Sequence, residues 1–562
     1  MTHDTQRVRM MFANGFAVAT CLVATPPGAF ASGPDYEKAG SPLPGLTAEQ
    51  LARFELGKQR YQTPLQEAEG LGPIFNKSSC ATCHTNPVGG WGSITVKNFG
   101  LADKGSFDPL TQFGGPLLQV SSLSEGCAEE VYVGANTIIL RLTNSSMAFG
   151  MIEAIPDAAI AANADPLDLD GDLVSGRART VQSVEAPGVP RIGRFGWKAQ
   201  VATVLSFSAD AAVNEMGLTN RFFQEENAPN GDAAVLAQCD SVADPEDGPD
   251  AEGLDFLDRV TDFQRFLSPP PQTPKSGMSG EAIFNAIGCA KCHVAQWTTA
   301  DARGLEDALR NKTIRPYSDF LLHDMGLLGD GFVDGDAEAL EMRTPTLWNL
   351  RSRDPMLHDG RAAGGSFFDR VAGNGGAIWW HNVVASEARD IGAAFFALPP
   401  SEQAKLVAFL DSLGRLAFDA DGSNAIDLFD FDAFMGCFGD VGVNADAPCA
   451  IHDADQDGDV DLNDFAVFLS RYQPSNRDCD DDGTSDLLEV LLGATDKNHD
   501  GIPDSCTACA ADLNASGGVD AADLGIALGA WGTAGADING DGTTNAVDLG
   551  IVLGSWGPCP TT

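Results

Sequence analysis

The chain is short of positive charge: 35 lysines and arginines stand against 79 aspartates and glutamates, a formal net charge of −44 over 562 residues. So acidic a protein repels a phosphate backbone, which excludes a nucleic-acid partner in the usual electrostatic sense. No internal run reaches 18 apolar residues, so no membrane span is expected. Tyrosine (5) and histidine (8) are also scarce, and with so few imidazoles each position carries information. Hydrophobic residues are not lacking, at 43%. A chain of this length outgrows a single core and is expected to split into about three to five domains.

Arg7 and Arg9 precede an apolar stretch from Met10 to Val23, and Ala29-Phe30-Ala31 offers a small-residue cleavage site before Ser32. That is the pattern of an export signal over residues 1–31. It predicts a periplasmic, secreted or cell-surface protein, in a compartment where disulfides persist. Of 13 cysteines, Cys21 falls in the signal and four belong to two Cys-x-x-Cys-His motifs. The other eight, Cys127, Cys239, Cys437, Cys449, Cys479, Cys506, Cys509 and Cys559, suit up to four disulfides whose pairing the sequence leaves open.

The motifs read Cys80-Ala81-Thr82-Cys83-His84 and Cys289-Ala290-Lys291-Cys292-His293. Two thiols three residues apart reach the two vinyl groups of a haem, and the adjacent histidine presents its imidazole to the iron. A thioredoxin-like pair does not need the trailing histidine, and a zinc site would want a second ligand pair close by. Cys80, Cys83, His84, Cys289, Cys292 and His293 are therefore read as binding two covalent c-type haems. The stretch Glu281 to Gly288 reads as a short amphipathic helix entering the second motif, and Leu71 to Phe75 takes that part before the first. A helix from Ser401 to Leu410, with Ser401 as its cap and Leu406, Phe409, Leu410 and Leu413 as its apolar stripe, closes the second unit. The expected fold is mainly α, with cytochrome c-like domains over 32–265 and 266–414.

Beyond Gly414 the charge becomes uneven: residues 415–562 hold 28 acidic and 4 basic side chains. Acidic residues recur there on the period of a twelve-residue calcium loop, with oxygens at positions 1, 3, 5, 9 and 12 and glycine at 6. Asp453, Asp455, Asp457, Asp461 and Asp464 fit, as do Asp512, Asn514, Asp520 and Asp523. Asp537, Asn539, Asp541, Asn545 and Asp548 match with Thr544 as the one compromise, and Asp419, Asp421, Asp427 and Asp430 lack the glycine. Calcium is the expected ion. The loops resemble type I dockerin and EF-hand repeats, arranged as pairs over 415–475 and 510–562. Between them, 476–509 resembles a thrombospondin type 3 calcium segment, through Asp478, Asp480, Asp482, Asp486 and Asp496, Asn498, Asp500, Asp504. Dockerins bind cohesin modules, so the resemblance implies a cohesin-like or cell-surface partner; a calcium-stiffened spacer is the alternative.

Residues 40–414 resemble the di-haem oxidoreductases, relatives of bacterial di-haem cytochrome c peroxidases. The resemblance rests on Ser78 to Pro87, Ile152-Glu153-Ala154-Ile155-Pro156, Gly193 to Ala199, Asn214-Glu215-Met216-Gly217, Leu322-His323-Asp324-Met325-Gly326, Arg343-Thr344-Pro345 and Leu357 to Arg361. It implies an electron-entry haem with two protein ligands and a second haem open to hydrogen peroxide, fed by a small cytochrome or cupredoxin donor. Glu215 then matches the distal-pocket acid–base and Trp197 the tryptophan between the haems, the two candidate catalytic residues. Asn144, with backbone oxygens near Thr344 and Pro345, resembles an inter-haem calcium site.

The histidine census sharpens this. His3 lies in the signal, His452 and His499 in the acidic tail, and none falls between His84 and His293. The His84 iron thus has no nearby histidine for its sixth position, leaving water, vacancy, Met147, Met151 or Met216. For the second haem, Asn374-Gly375-Gly376 stands where close relatives would carry a histidine. His381 is the best substitute, Met356 and Met325 the alternatives, with His358 read as support for a propionate and His323 as structural. A non-catalytic di-haem electron carrier, and a docking protein carrying a haem module, are the competing functions.

Overall fold

Thr47 starts the first long helix, α1 (Ala48–Gln62), by a capping box in which its hydroxyl accepts from Gln50 and the Gln50 side chain accepts from Thr47. In this computed structural model the described residues are 39–240, 248–272, 276–422, 426, 428–472, 494, 511–513, 518–519, 521–533, 535–536, 538 and 543–558. The export signal, the thrombospondin-like segment (apart from residue 494), and Asp427, Asn514, Asp520, Asp537, Asn539 and Asp541 lie outside them.

In the first half, α1 packs across α3 (Phe256–Phe266), and α2 (Val204–Met216) joins the same helix. Gly57 allows the close approach, since a Cβ there would lie 2.4 Å from the Arg259 carbonyl. Phe263 fills the seam, its ring 5.3 Å from Phe54 and 4.8 Å from Tyr61. Truncating a ring so enclosed costs about 3–5 kcal/mol. Arg53 pairs with Asp262, Nε to Oδ2 at 2.8 Å.

A four-stranded antiparallel sheet interrupts these helices: β1 (Thr95–Asp103) is flanked by β2 (Ser106–Asp108), β3 (Leu117–Leu118) and β4 (Thr137–Leu142). The mainly α expectation therefore holds only in part: helices are joined by several small antiparallel sheets. Leu71 to Phe75 is not a helix either; Ile74 and Phe75 pair with Ser122 and Ser121, and α1 supplies the helix that packs on the first motif.

In the second half, α4 (Ser279–Ala286) packs on α7 (Pro400–Ser412). Gly280 sits where a Cβ would be 2.0 Å from the Lys405 carbonyl, and Phe284 meets Phe409 at 5.4 Å. This is the expected pairing of entering and closing helices. The cap is corrected: α7 is preceded by Pro399 and starts at Pro400, so Ser401 lies inside its first turn. Leu406, Phe409, Leu410 and Leu413 are buried as the stripe requires. Two short helices, α5 (Ala377–His381) and α6 (Arg389–Ala397), close the unit.

Leu416, Phe418, Ile426, Phe434, Val460, Phe468 and Tyr472 form a phenylalanine-rich core that draws on α8 (Leu428–Cys437) and α9 (Leu462–Arg471), with Phe418, Phe434 and Phe468 fully buried. α10 (Ala521–Gly529) and α11 (Ala546–Gly554) pack together near the C-terminus. Of the eight cysteines, four are joined as Cys127–Cys239 and Cys437–Cys449, and the other four lie outside the described residues. The first bridge spans 112 residues, which in a chain-entropy model stabilises by about 4–5 kcal/mol. No described helix is long and apolar enough to cross a membrane.

Candidate functional site

The four motif cysteines are free thiols, in neither of the two disulfides. Around the second motif the chain encloses a cavity of about 1310 Å³, its open mouth included, whose walls are almost wholly apolar. Cys289, Cys292 and His293 lie on it, together with His381, His358, His323, Met325, Met356 and Trp197. The C-terminal turn of α5 brings His381 there. Its Nδ1–H donates to the Ala377 carbonyl at 2.7 Å, and that of His293 to the Tyr317 carbonyl at 2.9 Å. A backbone acceptor at Nδ1 fixes the tautomer and leaves Nε2 as a lone-pair donor, the arrangement of metal-ligating histidine. Burial lowers the pKa of both imidazoles, that of His293 to about 4. Apolar walls, two free thiols and two imidazoles with Nε2 left free fit a haem.

His323 is hydrogen-bonded within its loop, as expected, and also beyond it. It is clamped between Asp319, 2.8 Å from Nε2, and Glu387, 3.0 Å from Nδ1. The Cys292 thiol and Asp319 raise its pKa against desolvation, and Ser175 donates its hydroxyl to Glu387 at 2.7 Å. Lys291, inside the motif, pairs with Asp172 at 3.1 Å. Asp172 ends an acidic loop in which Asp165, Asp168 and Asp170 converge, a grouping the sequence reading missed.

Around the first motif, His84 donates from Nδ1 to the Gly90 carbonyl at 3.3 Å, and burial lowers its pKa to about 4. Tyr61 meets its ring edge-on at 5.9 Å. Met216 lies 3.8 Å from Cys80, sulfur to sulfur. Met147 belongs to the same core as Cys80, whereas Met151 packs in a different one. Among the described residues no histidine joins His84. The free thiols and the exposed Nε2 fit a haem here too.

Glu215, on the last turn of α2, accepts from Asn76 Nδ2 at 2.7 Å. Burial, opposed by that bond and reinforced by Asp210, pushes its pKa up to about 7. Its charge is felt at both Cys80 and Cys83, so it stands beside the first motif. Trp197 stands at the other. Gly196, at φ +77°, turns the chain there, and the buried indole donates to the Leu142 carbonyl at 2.8 Å while facing His358 at 6.2 Å. Lys198, fully buried, donates to the carbonyls of Glu338, Ala339 and Glu341 and pairs with Asp330, which holds that turn rigidly. Asn144 presents its carbonyl to His84, but the Thr344 carbonyl is taken by Ser318 and Arg343. The inter-haem calcium reading therefore keeps only the resemblance behind it. Sequence reasoning gave no role to Arg343, Arg353 or Trp91. A buried arginine has the same letter as a surface one, and only packing distinguishes them.

In the acidic tail, Asp419, Asp421 and Asp430 converge, as do Asp453, Asp455 and Asp464. Asp461 caps α9, its carboxylate accepting from the Asn463 amide, and Asn545 caps α11. Asp523 and Asp548 are buried, and Asp512 and Asp457 lie in the turns before their helices. The module that carries the Asp419 and Asp453 loops touches the residues before it, since Asp419 lies 3.6 Å from Arg351 and Asp446, between the loops, accepts from the Ser279 amide at 2.9 Å.

No curated protein matches the chain. Among solved structures it is similar to a hydrazine synthase of Kuenenia stuttgartiensis pressurised with xenon, at 14% identity over 71% of this chain and 100% of that one, with a TM-score of 0.26. It is also similar to a MauG-like protein associated with microbial copper homeostasis, at 14% identity over 68% and 93%, with a TM-score of 0.30. Values this low say nothing about function. The family model described as "Di-haem oxidoreductase, putative peroxidase" matches residues 121–413, just over half of the chain, taking in the second motif and Glu215 but starting after the first motif. The chain thus belongs to the di-haem oxidoreductase family and is a di-haem redox protein.

Proposed function

We propose that the chain is an exported, periplasmic or surface-located di-haem cytochrome c that reduces hydrogen peroxide to two waters. Two electrons and two protons are consumed per peroxide. Electrons enter at the His293 site from a small cytochrome or cupredoxin and are used at the His84 site. The observation that carries this reading is the contrast between the two histidine environments. His293 shares its cavity with a second Nδ1-anchored imidazole, His381, which suits a closed, six-coordinate centre. His84 has no such partner among the described residues, which suits an open one. Each haem, when bound, supplies an iron that changes oxidation state by one electron.

The protein's own groups supply the rest. Glu215, with its pKa near 7, is suited to take a proton from one peroxide oxygen and return it to the other. Trp197 lines the His293 cavity and belongs to the core that Cys80 packs against, held by its bond to Leu142. The deciding experiment is an optical and electron paramagnetic resonance titration of the purified holoprotein with peroxide, resting and half-reduced. A high-spin signal consumed by one equivalent is the expected result. Two low-spin haems indifferent to peroxide in both states would leave an electron carrier instead.

For the tail we propose calcium binding, supported by the convergent carboxylates and by Asp453, whose Oδ1 is buried with no hydrogen-bond partner. Burial and Asp464 push the Asp453 pKa upward, and a divalent cation would relieve both causes. The expected result is a melting transition for the 415–472 module that rises in millimolar calcium and falls on chelation. The stabilisation is about 2.7 kcal/mol when calcium exceeds Kd a hundredfold. Asp453→Ala should abolish the response, and a calcium-independent melt of the parent chain would refute it. A cohesin-like partner is the docking alternative, tested by chelation-sensitive capture on an immobilised cohesin.

A further inference from the structure

Two buried arginines, Arg343 and Arg353, line the cavity of His293, and among the described residues neither forms an ion pair. Arg343 donates Nε to the Gly196 carbonyl at 2.6 Å and Nη1 to the Thr344 carbonyl at 2.8 Å. Arg353 reaches only the Leu357 carbonyl, at 3.3 Å, and its Nε has no partner at all. The acids nearby are paired elsewhere: Asp319, whose charge is also felt at Arg343, with His323, Asp359 with Arg361, and Asp330 with Arg141 and Lys198; no acid among the described residues acts on Arg353. A buried cation without a counter-charge is strongly unfavourable. A fold that keeps two of them on one cavity wall is built to receive an anion there.

The position of Arg353 is more specific still. Its guanidinium lies 3.5 Å over the Trp91 ring and 5.5 Å from that of Trp197. Trp91 directly follows Gly90, whose carbonyl holds His84, and its own carbonyl accepts from the Asn86 amide at 3.0 Å. One cation therefore sits between an indole on the His84 segment and an indole on the His293 cavity.

Resting on the haem reading of that cavity, we propose that Arg343 and Arg353 bind the propionate carboxylates of the His293 haem. Arg353 would also join that haem's edge through Trp91 to the segment carrying His84. Bidentate guanidinium–carboxylate pairing suits this geometry, and stacking on an indole leaves the planar N–H edge free for it. Burial lowers the pKa of Arg343 to about 10 and of Arg353 to about 9, so both stay cationic at neutral pH. His358, expected to support a propionate, is pushed to about 4 and supplies no charge there. The other titratable groups on the cavity are His293, His323, His381 and Glu387, with Asp319 and Asp359 behind them.

The test uses the full-length holoprotein, with two haems per chain verified from the pyridine haemochrome. Spectroelectrochemical titration follows the low-spin haem from pH 6 to 8. The parent should show little pH dependence, because paired propionates stay ionised. Arg353→Met should shift the one-electron equilibrium about tenfold toward the oxidised form, equivalent to 59 mV, and acquire a pH dependence as the released propionate titrates. Arg353→Lys should recover most of the shift. An Arg353→Met protein with two haems and an unchanged, pH-independent equilibrium overturns the proposal and leaves the haem reading standing. A parent chain without haem on Cys289 and Cys292 overturns the reading itself. If Arg353→Met does not accumulate, Arg353→Gln and Arg343→Gln are read by the same two criteria.

Discussion

Replacing Glu215 by glutamine lowers peroxide turnover by roughly 10²–10⁴-fold, the range lost when a positioned acid–base is removed. Stopped-flow kcat/KM for peroxide on the half-reduced protein measures it. The substitution is mild for the fold: glutamine keeps the volume, and its carbonyl oxygen can still accept from Asn76 Nδ2, which lies 2.7 Å from the carboxylate. Haem content and melting temperature should therefore be unchanged. The pH profile separates the catalytic role from a structural one. Burial pushes the Glu215 carboxyl up to about 7, so the carboxylate needed as base appears as pH rises through 7. The parent kcat/KM should climb with pH on its acid limb and level off above that value. Glu215→Gln should lose that limb. Turnover within threefold of the parent, with the limb intact, would assign the proton transfers to another group.

What could be read from the residues alone was the chemistry with fixed spacing. Cys80 to His84 and Cys289 to His293 declare themselves within five letters, and the stripe of α7 follows from helical periodicity. His381 was reached by counting imidazoles, and the structure places it on the same cavity as His293. The sheet was not legible. In β1 the buried residues Asn98, Phe99 and Gly100 are consecutive, with neighbours half-exposed on either side, so no period-2 alternation marks it as a strand. Trp91, Arg343 and Arg353 were illegible for a different reason. Their roles come from contacts between residues hundreds of positions apart, such as Trp91 with the Trp348 carbonyl, and nothing local in sequence records them.

His381→Ala should convert one haem of the two from low to high spin, because the substitution removes the imidazole proposed to close the His293 site. His323 is held at both nitrogens by Asp319 and Glu387. The replacements on the cavity wall are His358, kept neutral by burial, and Met325 and Met356. Thioether ligation has its own spectroscopic signature, and it raises the reduction potential relative to imidazole. Magnetic circular dichroism and electron paramagnetic resonance of the oxidised variant therefore distinguish three results. A new high-spin signal equal to one haem per chain assigns the sixth position to His381. A low-spin methionine signature in the variant, where the parent was bis-imidazole, still assigns His381 in the parent and identifies the rescuer. An unchanged spectrum removes His381 from the iron and transfers the assignment to His358 if it is bis-imidazole, and to Met356 or Met325 if it is a thioether spectrum. Loss of donor-driven turnover should accompany the first result, while peroxide still consumes the signal at the His84 site. That split, entry lost and peroxide chemistry kept, is the functional asymmetry that the two histidine environments predict.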